Sequence, residues 1–333
     1  MSRHQRDPGV RYLVFQTPDD AAQGQRLDRF AKREQKNRKR GFHAASLSQN
    51  VTHASQHDPH RRPSPPRLDS YRGPDWAPFL KGLCTAHVDD IVREQAAGAP
   101  SSLHYGAFLR PQGKMYADCL IQAVAADDIW LDVPLSARDE LLAKLNMYRL
   151  RTKVTIEALD RPVFVAFGDA LPDGFLQDPR SRVTQVPFGM AYSVQTAEAN
   201  IGDWAVFRYS VGLADPGYDF DKDELYAIDA NLDLLGAIDF KKGCYVGQEL
   251  TSRMKRRGQI KNRILGLSHS GLLSKDAEIL SGDLRTGEVL GSADGVSIGL
   301  MRLDRMDAGL TCDGVAVNVI KPDWIDFTVS TSV

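Results

Sequence analysis

One stretch of the chain combines a thiol, two lysines, flexible glycines and a run of arginines. Residues 241–257 read KKGCYVGQELTSRMKRR. Cys244 lies just ahead of a predicted helix, close to Lys241 and Lys242 and to backbone amide donors. Positive charges and amide dipoles stabilise a thiolate, so this setting favours a reactive cysteine. Composition alone favours the opposite interpretation, because a free cysteine is most often an inert buried side chain.

The other three cysteines do not form a second reactive or metal-binding site. Cys84, Cys119 and Cys312 lie within apolar runs and are predicted to be core side chains. No two cysteines have the spacing of a zinc or redox site, and the histidines add no ligand pattern. A chain-internal iron–sulfur cluster on these scattered cysteines is not supported by their spacing, so we assign no metal ligands.

The residues around Cys244 predict a loop that runs into a helix. Gly243 and Gly247 permit backbone angles or close approaches that side chains forbid. Gln248 and Glu249 fall at the predicted helix start, where a carboxylate complements the positive end of the dipole. A cationic cluster at the other end is explained equally well as a solvated helix end or as an anion-binding site. Its members are Arg253, Lys255, Arg256 and Arg257.

The elements ahead of this stretch predict an α+β arrangement. Residues 76–92 indicate a helix that breaks near Thr85, and a hairpin follows around the turn Pro111-Gln112-Gly113. The run IWLDVP predicts a third strand, and Ser136 is predicted to cap the next helix. KVTIEAL and PVFVAFG predict two further strands. This order is an α+β pattern rather than strict alternation of strands and helices.

The chain divides into three predicted regions. Residues 1–74 form an extension, residues 75–262 an α+β region of two subdomains, and residues 263–333 a small β domain. Short strands punctuated by glycine favour a barrel or a sandwich for that last region.

The charges are spread unevenly over the 333 residues. Residues 1–74 carry 15 Lys and Arg against 7 Asp and Glu, whereas the remainder carries 27 against 36. The extension contains too little apolar surface to offset its ordering entropy, so we predict that it is disordered. A nucleic-acid-binding arm would need interleaved aromatic residues, and a mitochondrial transit peptide would be nearly free of acids. Both of those interpretations fit the composition less well, and a nucleic-acid partner is not expected.

Targeting signals and membrane spans are not evident. No apolar run approaches the roughly 18 residues that a spanning helix needs, so no membrane partner is expected. The chain also lacks a secretory apolar segment, which makes the cytoplasm the default compartment.

The motif K-G-C-Y-x-G-Q-E at residues 242–249 resembles the signature of the YgfZ family of folate-binding proteins. Further blocks resemble the family in the same order, from residue 76 to the C-terminus, and residues 1–74 have no counterpart. These blocks read FLKGLCTAHVDDI, YGAFLRPQGKMYADCLI, LDVPLSARDELLAKLNMYRLRTKVTI and YAIDANLDLLGAIDF. The family resembles the glycine cleavage T-protein, an aminomethyltransferase. Its mitochondrial relatives are iron–sulfur cluster assembly factors.

The resemblance implies both a fold and a function. It implies a T-protein-like α+β fold around a central channel, with a small C-terminal β-barrel-like domain. It also implies a tetrahydrofolate-binding accessory protein in iron–sulfur cluster assembly or repair. The implied partners are folate and iron–sulfur assembly or client proteins, in the mitochondrial matrix if the source is eukaryotic.

Two other functions remain open. The same folate site would serve an aminomethyltransferase or another one-carbon transferase, although T-proteins generally lack the K-G-C-Y-x-G-Q-E form. An RNA-binding or RNA-modification partner would act through the basic extension and the cationic helix end.

The resemblance also assigns residues to roles. The implied catalytic residues are Cys244, as a reactive thiol or transient ligand, and Asp118, in the block Y-G-A-x-L-x-P-Q-G-K-x-x-A-D. Asp229 stands where the family usually has Glu in the pattern E-A-N-x-D, and it is one methylene shorter. The implied folate-contacting residues are Tyr105, Asp229, Asn231, Lys242, Tyr245, Gln248, Glu249 and Arg253. A plain hairpin with one strand carboxylate is the competing interpretation of the Asp118 block.

Overall fold

A computed structural model of the chain supplies the fold. It describes residues 11–15 as backbone, and then residues 67–159, 161, 163–168, 170–193, 201–257, 260–306 and 309–327. The strands are β1 (Arg11–Phe15), β2 (Arg67–Arg72), β3 (Leu103–Leu109), β4 (Met115–Ala125), β5 (Asp128–Val133), β6 (Thr155–Leu159), β7 (Val163–Phe167), β8 (Leu176–Gln177), β9 (Phe188–Ala191), β10 (Asn262–His269), β11 (Glu278–Ser281), β12 (Leu284–Ala293), β13 (Val296–Arg302), β14 (Leu310–Cys312) and β15 (Val315–Ile320). The helices are α1 (Trp76–Lys81), α2 (Val88–Ala96), α3 (Leu135–Tyr148), α4 (Pro179–Thr184), α5 (Ile201–Ser210) and α6 (Gln248–Arg257).

A five-stranded antiparallel sheet with the order β3-β4-β5-β2-β6 organises the first part of the body. Successive side chains on a strand point to opposite faces, so each strand serves two cores. One face carries Ile121 and Leu131 into a core shared with α1, α2 and α3. The other face carries Tyr105 and Leu120 into a second core. The predicted α+β layering is therefore confirmed.

The predicted hairpin and the predicted helix break are both present. Strands β3 and β4 flank the Pro111-Gln112-Gly113 turn, and Thr85 separates α1 from α2. The predicted cap is wrong. Helix α3 begins at Leu135 after Pro134, with no side-chain cap. Because Pro134 precedes the first helical residue, Ser136 lies inside the first turn instead of ahead of it.

A four-stranded sheet with the order β1-β7-β9-β8 supports the second core. Aromatic rings from this sheet pack against α5, where the Trp204 and Phe207 rings stack at 5.4 Å between centroids. Phe167 and Phe188 contact both of these rings. The two strands predicted on either side of residues 160–161 are confirmed as β6 and β7, but they belong to different sheets.

The predicted disordered extension needs correction at two places. Strand β2 lies within residues 1–74, yet it pairs with both β5 and β6 inside the five-stranded sheet. Strand β1 pairs with β7 over its five residues. Backbone pairing in a sheet needs little apolar area from the added strand, which is why composition misjudged these segments. The basic run at residues 32–40 lies outside the described residues.

The C-terminal region is a closed barrel with the strand order β10-β13-β12-β11-β14-β15. Its interior holds Leu265, Ile279, Val289 and Met301, all fully buried. Closure removes the exposed sheet edges that an open six-stranded sheet would present. The predicted C-terminal β-barrel-like domain is thus confirmed, and its strands lie between Asn262 and Ile320.

Candidate functional site

The loop that carries Cys244 spans residues 239–247, and we call it the thiol loop. Its first residue, Asp239, donates its backbone N–H to the carbonyl oxygen of Thr85 at 2.8 Å. The Asp239 carboxylate accepts the backbone N–H groups of Lys241 at 2.8 Å and Lys242 at 3.0 Å. The Nδ1 atom of His87 lies 3.6 Å from the second carboxylate oxygen. These bonds fix the start of the loop to the segment between α1 and α2.

Lys242 anchors the middle of the thiol loop through hydrogen bonds to the protein interior. Its buried ammonium donates to the carbonyl oxygens of Cys84 at 2.5 Å and Ala86 at 2.9 Å. It also lies 4.9 Å from the centroid of the Tyr245 ring. Burial lowers the pKa of Lys242. The ammonium therefore faces the interior, which differs from the expected position beside the thiol.

Cys244 itself is free and exposed, whereas the other three cysteines are buried. The prediction that Cys84, Cys119 and Cys312 are core residues is confirmed, and the buried interpretation of Cys244 is wrong. Gly247 ends the loop with φ of +82°, and a Cβ there would lie 2.7 Å from the carbonyl oxygen of Arg110. The chain can turn into α6 at this point only because residue 247 has no side chain.

Helix α6 begins at Gln248, as predicted, and Glu249 lies in its first turn. Glu249 and Arg253 are exposed, and Gln248 is half-buried. The ammonium of Lys255 pairs with the buried carboxylate of Asp233 at 2.9 Å. One cation of the predicted cluster thus serves an internal ion pair.

A buried carboxyl group lies in the second core, on the face of the five-stranded sheet that points away from α1, α2 and α3. The Tyr105 hydroxyl on β3 donates to Asp118 on β4 at 3.0 Å. Burial raises the pKa of Asp118 to about 7. The charge of Arg180 and the Tyr105 hydrogen bond oppose this rise, and the charge of Asp215 adds to it. The implied catalytic residue can therefore exchange a proton near neutral pH.

A second buried carboxyl group was not anticipated from the sequence. The Tyr192 hydroxyl, just after β9, donates to Asp132 on β5 at 3.1 Å. Burial raises the pKa of Asp132 well above its usual range, and the charge of Asp118 adds to the effect. The available signal was an acidic residue in the otherwise apolar strand IWLDVP. We call Asp118, Asp132, Tyr105 and Tyr192 the carboxyl cluster.

Arg180 supplies positive charge beside the carboxyl cluster. It forms two hydrogen bonds with the buried carboxylate of Asp178, at 2.9 and 2.7 Å. The guanidinium carbon lies 4.6 Å from the Tyr105 ring centroid. The charge of Arg180 lowers the pKa of Asp118, but burial outweighs this effect and the pKa stays raised.

Unpaired polar atoms lie on the same face of the sheet. Gln122 pairs with Trp130 across β4 and β5, two residues along from the pairing of Leu120 with Asp132. The Gln122 Oε1 and Trp130 Nε1 atoms are buried without a hydrogen-bond partner. An orphaned acceptor, an orphaned donor and two carboxyl groups suit a pterin, whose amino-pyrimidine edge offers both donors and acceptors. The residues present therefore fit the implied tetrahydrofolate.

The D-A-N-L-D segment, residues 229–233, contacts the barrel instead of the carboxyl cluster. The Asn231 amide donates to the carbonyl oxygen of Ile264 at 2.7 Å and accepts from the Arg263 guanidinium at 3.3 Å. Arg263 also binds the Asp233 carboxylate at 2.6 and 3.1 Å. The side chain of Asn231 is thus engaged within the protein. We call these contacts of Asn231, Asp233 and Arg263 the interdomain clamp.

Asp229 lies at the edge of the same clamp. Its carbonyl oxygen accepts from the backbone N–H of Ile264 at 3.0 Å. Burial raises the pKa of its carboxyl group to about 6, against a hydrogen bond from Asn262 and the charges of Arg263 and Lys114. The structure thus places Asp229 beside the first strand of the barrel.

Among the described residues, no group of three or more His, Cys, Asp and Glu side chains is placed to hold a metal ion. None of the helices in that part of the chain combines the length and the hydropathy that a membrane crossing requires.

Known proteins resemble this chain in sequence and in fold. Residues 261–327 match the family model described as the C-terminal beta-barrel domain of CAF17. A protein of Pyricularia oryzae, named iron-sulfur cluster assembly factor IBA57 homolog, mitochondrial, is 32% identical over 60% of this chain and 54% of its own length. This chain therefore spans about half the length of that fungal relative.

Animal relatives align over more of their length. The iron-sulfur cluster assembly factor IBA57, mitochondrial, of Mus musculus is 27% identical over 76% of this chain and 81% of that protein. The Homo sapiens protein of the same name is 26% identical over 72% of each chain.

A solved structure confirms the fold. The glycine cleavage system aminomethyltransferase T from Bartonella henselae superposes with a TM-score of 0.61, at 14% identity. The match covers 79% of this chain and 85% of that one. The expected T-protein-like α+β fold with a C-terminal barrel is therefore confirmed.

Proposed function

We propose that this chain is an accessory factor in iron–sulfur cluster assembly that acts in mitochondria rather than in the cytoplasm. The observation that carries the proposal is the likeness, over 60% to 76% of the chain, to proteins named mitochondrial iron–sulfur cluster assembly factors. The expected partners are proteins that carry or receive such clusters. The YgfZ-like motif at residues 242–249 supports the same process.

Within this function, Cys244 is the residue that meets the cluster. It is exposed on a loop that Asp239 and Lys242 fix at two points. A deprotonated thiol donates an electron pair to iron, and its proton passes to solvent. An iron–sulfur cluster bound to a partner protein is the substrate here, and an exposed thiol on a fixed loop can reach it without rearrangement.

The carboxyl cluster is the proposed tetrahydrofolate site. Tetrahydrofolate, when bound, supplies a nitrogen acceptor for a one-carbon group. Asp118 and Asp132 would accept N–H groups of the pterin, while Tyr105 and Tyr192 hold the two carboxyl groups in place. Asp118 can hold or release a proton at its carboxyl oxygen near neutral pH, because burial raises its pKa to about 7.

An aminomethyltransferase is the second candidate function. The T-protein-like fold and the buried Asp118 favour it, since a general acid or base with a pKa near 7 suits proton transfer to a leaving amine. Release of ammonia from an aminomethylated lipoyl carrier protein, dependent on tetrahydrofolate, would establish this activity and displace the proposal.

Complementation tests the role of Cys244. In a strain that lacks its own homologue, we expect the wild-type chain to restore iron–sulfur enzyme activity and Cys244→Ser to fail at equal protein level. Cys312→Ser is the control, because that thiol is buried in the barrel away from the thiol loop. Full rescue by Cys244→Ser would remove the thiol from the function.

Direct titration tests the folate site. We expect tetrahydrofolate to bind the purified chain and Asp132→Ala to weaken binding by about tenfold, the effect of one lost hydrogen bond. Asp229→Ala is the matched control, because Asp229 lies at the interdomain clamp. Equal weakening by both variants, or no binding by the wild-type chain, would exclude this site without touching the role of Cys244.

A further inference from the structure

A group of exposed apolar side chains lies where α3 ends, and it includes no residue of the thiol loop or the carboxyl cluster. Met147, Tyr148 and Leu150 expose 58%, 51% and 88% of their surface within four residues. A single exposed leucine on a protein surface is ordinary, but a contiguous apolar group is characteristic of an interaction surface. We call residues 147–153 the apolar corner.

The corner is held rigid by its own backbone. The Thr152 N–H donates to the Arg149 carbonyl oxygen at 2.7 Å, which closes a turn with Leu150 and Arg151 at its tip. The Arg149 guanidinium donates to the carbonyl oxygen of Val154 at 3.2 Å, across the base of the turn. The apolar tip is therefore presented in a fixed position and loses little conformational freedom on binding.

Positive charges surround the apolar tip. Arg149, Arg151 and Lys153 alternate along the turn, and in the described part of the chain none of them forms an ion pair with an acidic side chain. The nearest acidic contact is Asp75, whose carboxylate accepts the backbone N–H of Lys153 at 2.8 Å. Glu157 is exposed on the neighbouring strand β6. The turn still carries a net positive charge.

We propose that the apolar corner docks on the surface of an anionic lipid bilayer. A protruding leucine with a flanking tyrosine can enter the headgroup layer without any complementary pocket. The cations beside them would meet the negative lipid headgroups, and arginine and lysine stems can lie along apolar surface while their charges stay in water. A protein partner would instead need a socket matched to the protruding tip, which makes it the less favoured occupant.

This inference is independent of the proposed function. It concerns where the protein resides and not the chemistry of Cys244, so either can fail without the other. The apolar corner contains no residue of the thiol loop, which is held by the segment between α1 and α2.

Vesicle sedimentation tests the proposal with the full chain. We expect it to bind vesicles of phosphatidylcholine with one third phosphatidylglycerol, to bind less as salt rises, and to bind little to pure phosphatidylcholine. Leu150→Ser should lower the partition coefficient about tenfold by removing the inserted side chain. Arg151→Gln should lower it about fivefold.

Leu272→Ser is the matched control, because Leu272 is 80% exposed on the barrel, outside the apolar corner. It should bind vesicles like the wild-type chain, and all variants should keep the wild-type circular dichroism and melting midpoint. Equal binding by Leu150→Ser and wild type would overturn the proposal, as would no binding to the anionic vesicles. Binding to immobilised polyglutamate without binding to vesicles would assign the corner to an acidic protein and overturn it as well.

Discussion

Asp118 shows how burial alone can prepare a residue for proton transfer. Its carboxyl group accepts hydrogen bonds from the Tyr105 hydroxyl and from its own backbone, and it lies near the charges of Arg180 and Asp215. The loss of hydration outweighs the stabilising contacts, so the group retains its proton to about pH 7 in the folded protein. An unfolded aspartate releases its proton near pH 4.

This difference predicts how stability depends on pH. At pH values between the pKa of the unfolded state and that of the folded state, Asp118 is protonated in the native protein but not in the unfolded chain. The stability that Asp118 contributes is therefore present at low pH and falls as pH rises through about 7. From about pH 5 to about pH 8 the loss amounts to about 3 kcal/mol. Asp118→Asn should make this slope shallower by the share that Asp118 contributes, while the raised pKa values of Asp132 and Asp229 keep part of it. Urea unfolding at a series of pH values measures the difference. Asp139→Asn, on the exposed face of α3, is the control. Parallel pH profiles for wild type and Asp118→Asn would contradict the raised pKa.

The four cysteines should separate cleanly by reactivity. Cys244 is exposed, whereas Cys84, Cys119 and Cys312 are buried. Burial raises the pKa of the Cys84 thiol, which further slows its reaction with alkylating reagents. Intact mass measurement after iodoacetamide treatment should show one adduct on the native protein and four after denaturation. A second adduct on the native protein would indicate that the core opens on the reaction timescale.

At the scale of elements, the thiol loop depends on two glycines with different requirements. Gly247 has φ of +82°, and a Cβ there would lie 2.7 Å from both the Arg110 carbonyl oxygen and the Leu109 Cβ. A Cβ on Gly243 would meet nothing within 4 Å. The two positions therefore form a natural pair of test and control within one loop.

Gly247→Ala should destabilise the protein by about 2 kcal/mol or more, because it combines a left-handed backbone with a steric clash. Gly243→Ala should change the free energy of unfolding by less than about 0.5 kcal/mol. Urea unfolding of both variants, together with the rate of alkylation of Cys244, measures the effect on stability and on presentation of the thiol. Equal stability of the two variants would show that the turn relaxes to accept a side chain.

Local patterns determined which elements could be predicted. The β3–β4 hairpin follows from alternation around a Pro/Gly turn, and α6 follows from the charges at its two ends. The hydrogen bond between Tyr192 and Asp132 could not be predicted, because these residues lie 60 positions apart, and Asp132 is on β5 of one sheet while Tyr192 follows β9 of the other. The inward direction of the Lys242 side chain could not be predicted either, because its carbonyl partners lie more than 150 positions away in the sequence.

Strand pairing likewise explains why residues 67–72 were wrongly predicted to belong to a disordered extension. Strand β2 reads RLDSYR, a polar sequence that composition assigns to an extension. It is nevertheless enclosed between β5 and β6, where both sets of backbone groups are satisfied. Strand β2 is therefore ordered by pairing with its neighbours in the sheet, which its polar residues alone do not predict.

At the scale of the whole molecule, the near-zero net charge is the sum of a basic N-terminal region and an acidic remainder. Residues 1–74 carry an excess of eight positive charges, and the remainder carries an excess of nine negative charges. The apolar corner is a local exception, a basic turn on an acidic body. Charge arguments about partners therefore apply to particular surfaces and not to the molecule as a whole.

The interdomain clamp is expected to join the α+β body and the barrel into one cooperative unit. Arg263 is 3% exposed, and its ion pair with Asp233 has no access to solvent from the carboxylate side. Breaking a buried pair by removing one partner leaves an uncompensated charge, so Arg263→Met should lower the free energy of unfolding by about 3 kcal/mol. Lys255 still contacts Asp233 and reduces the cost.

Arg302→Met supplies the comparison for this prediction. Arg302 lies in the same barrel and pairs with Asp304 at 2.9 Å, but both side chains are about one third or more exposed. Exposed pairs contribute less than about 1 kcal/mol, so this variant should unfold nearly like the wild-type chain. Urea unfolding followed by circular dichroism measures both variants. If Arg263→Met costs no more than Arg302→Met, packing of the barrel on α5 joins the two regions without help from the clamp.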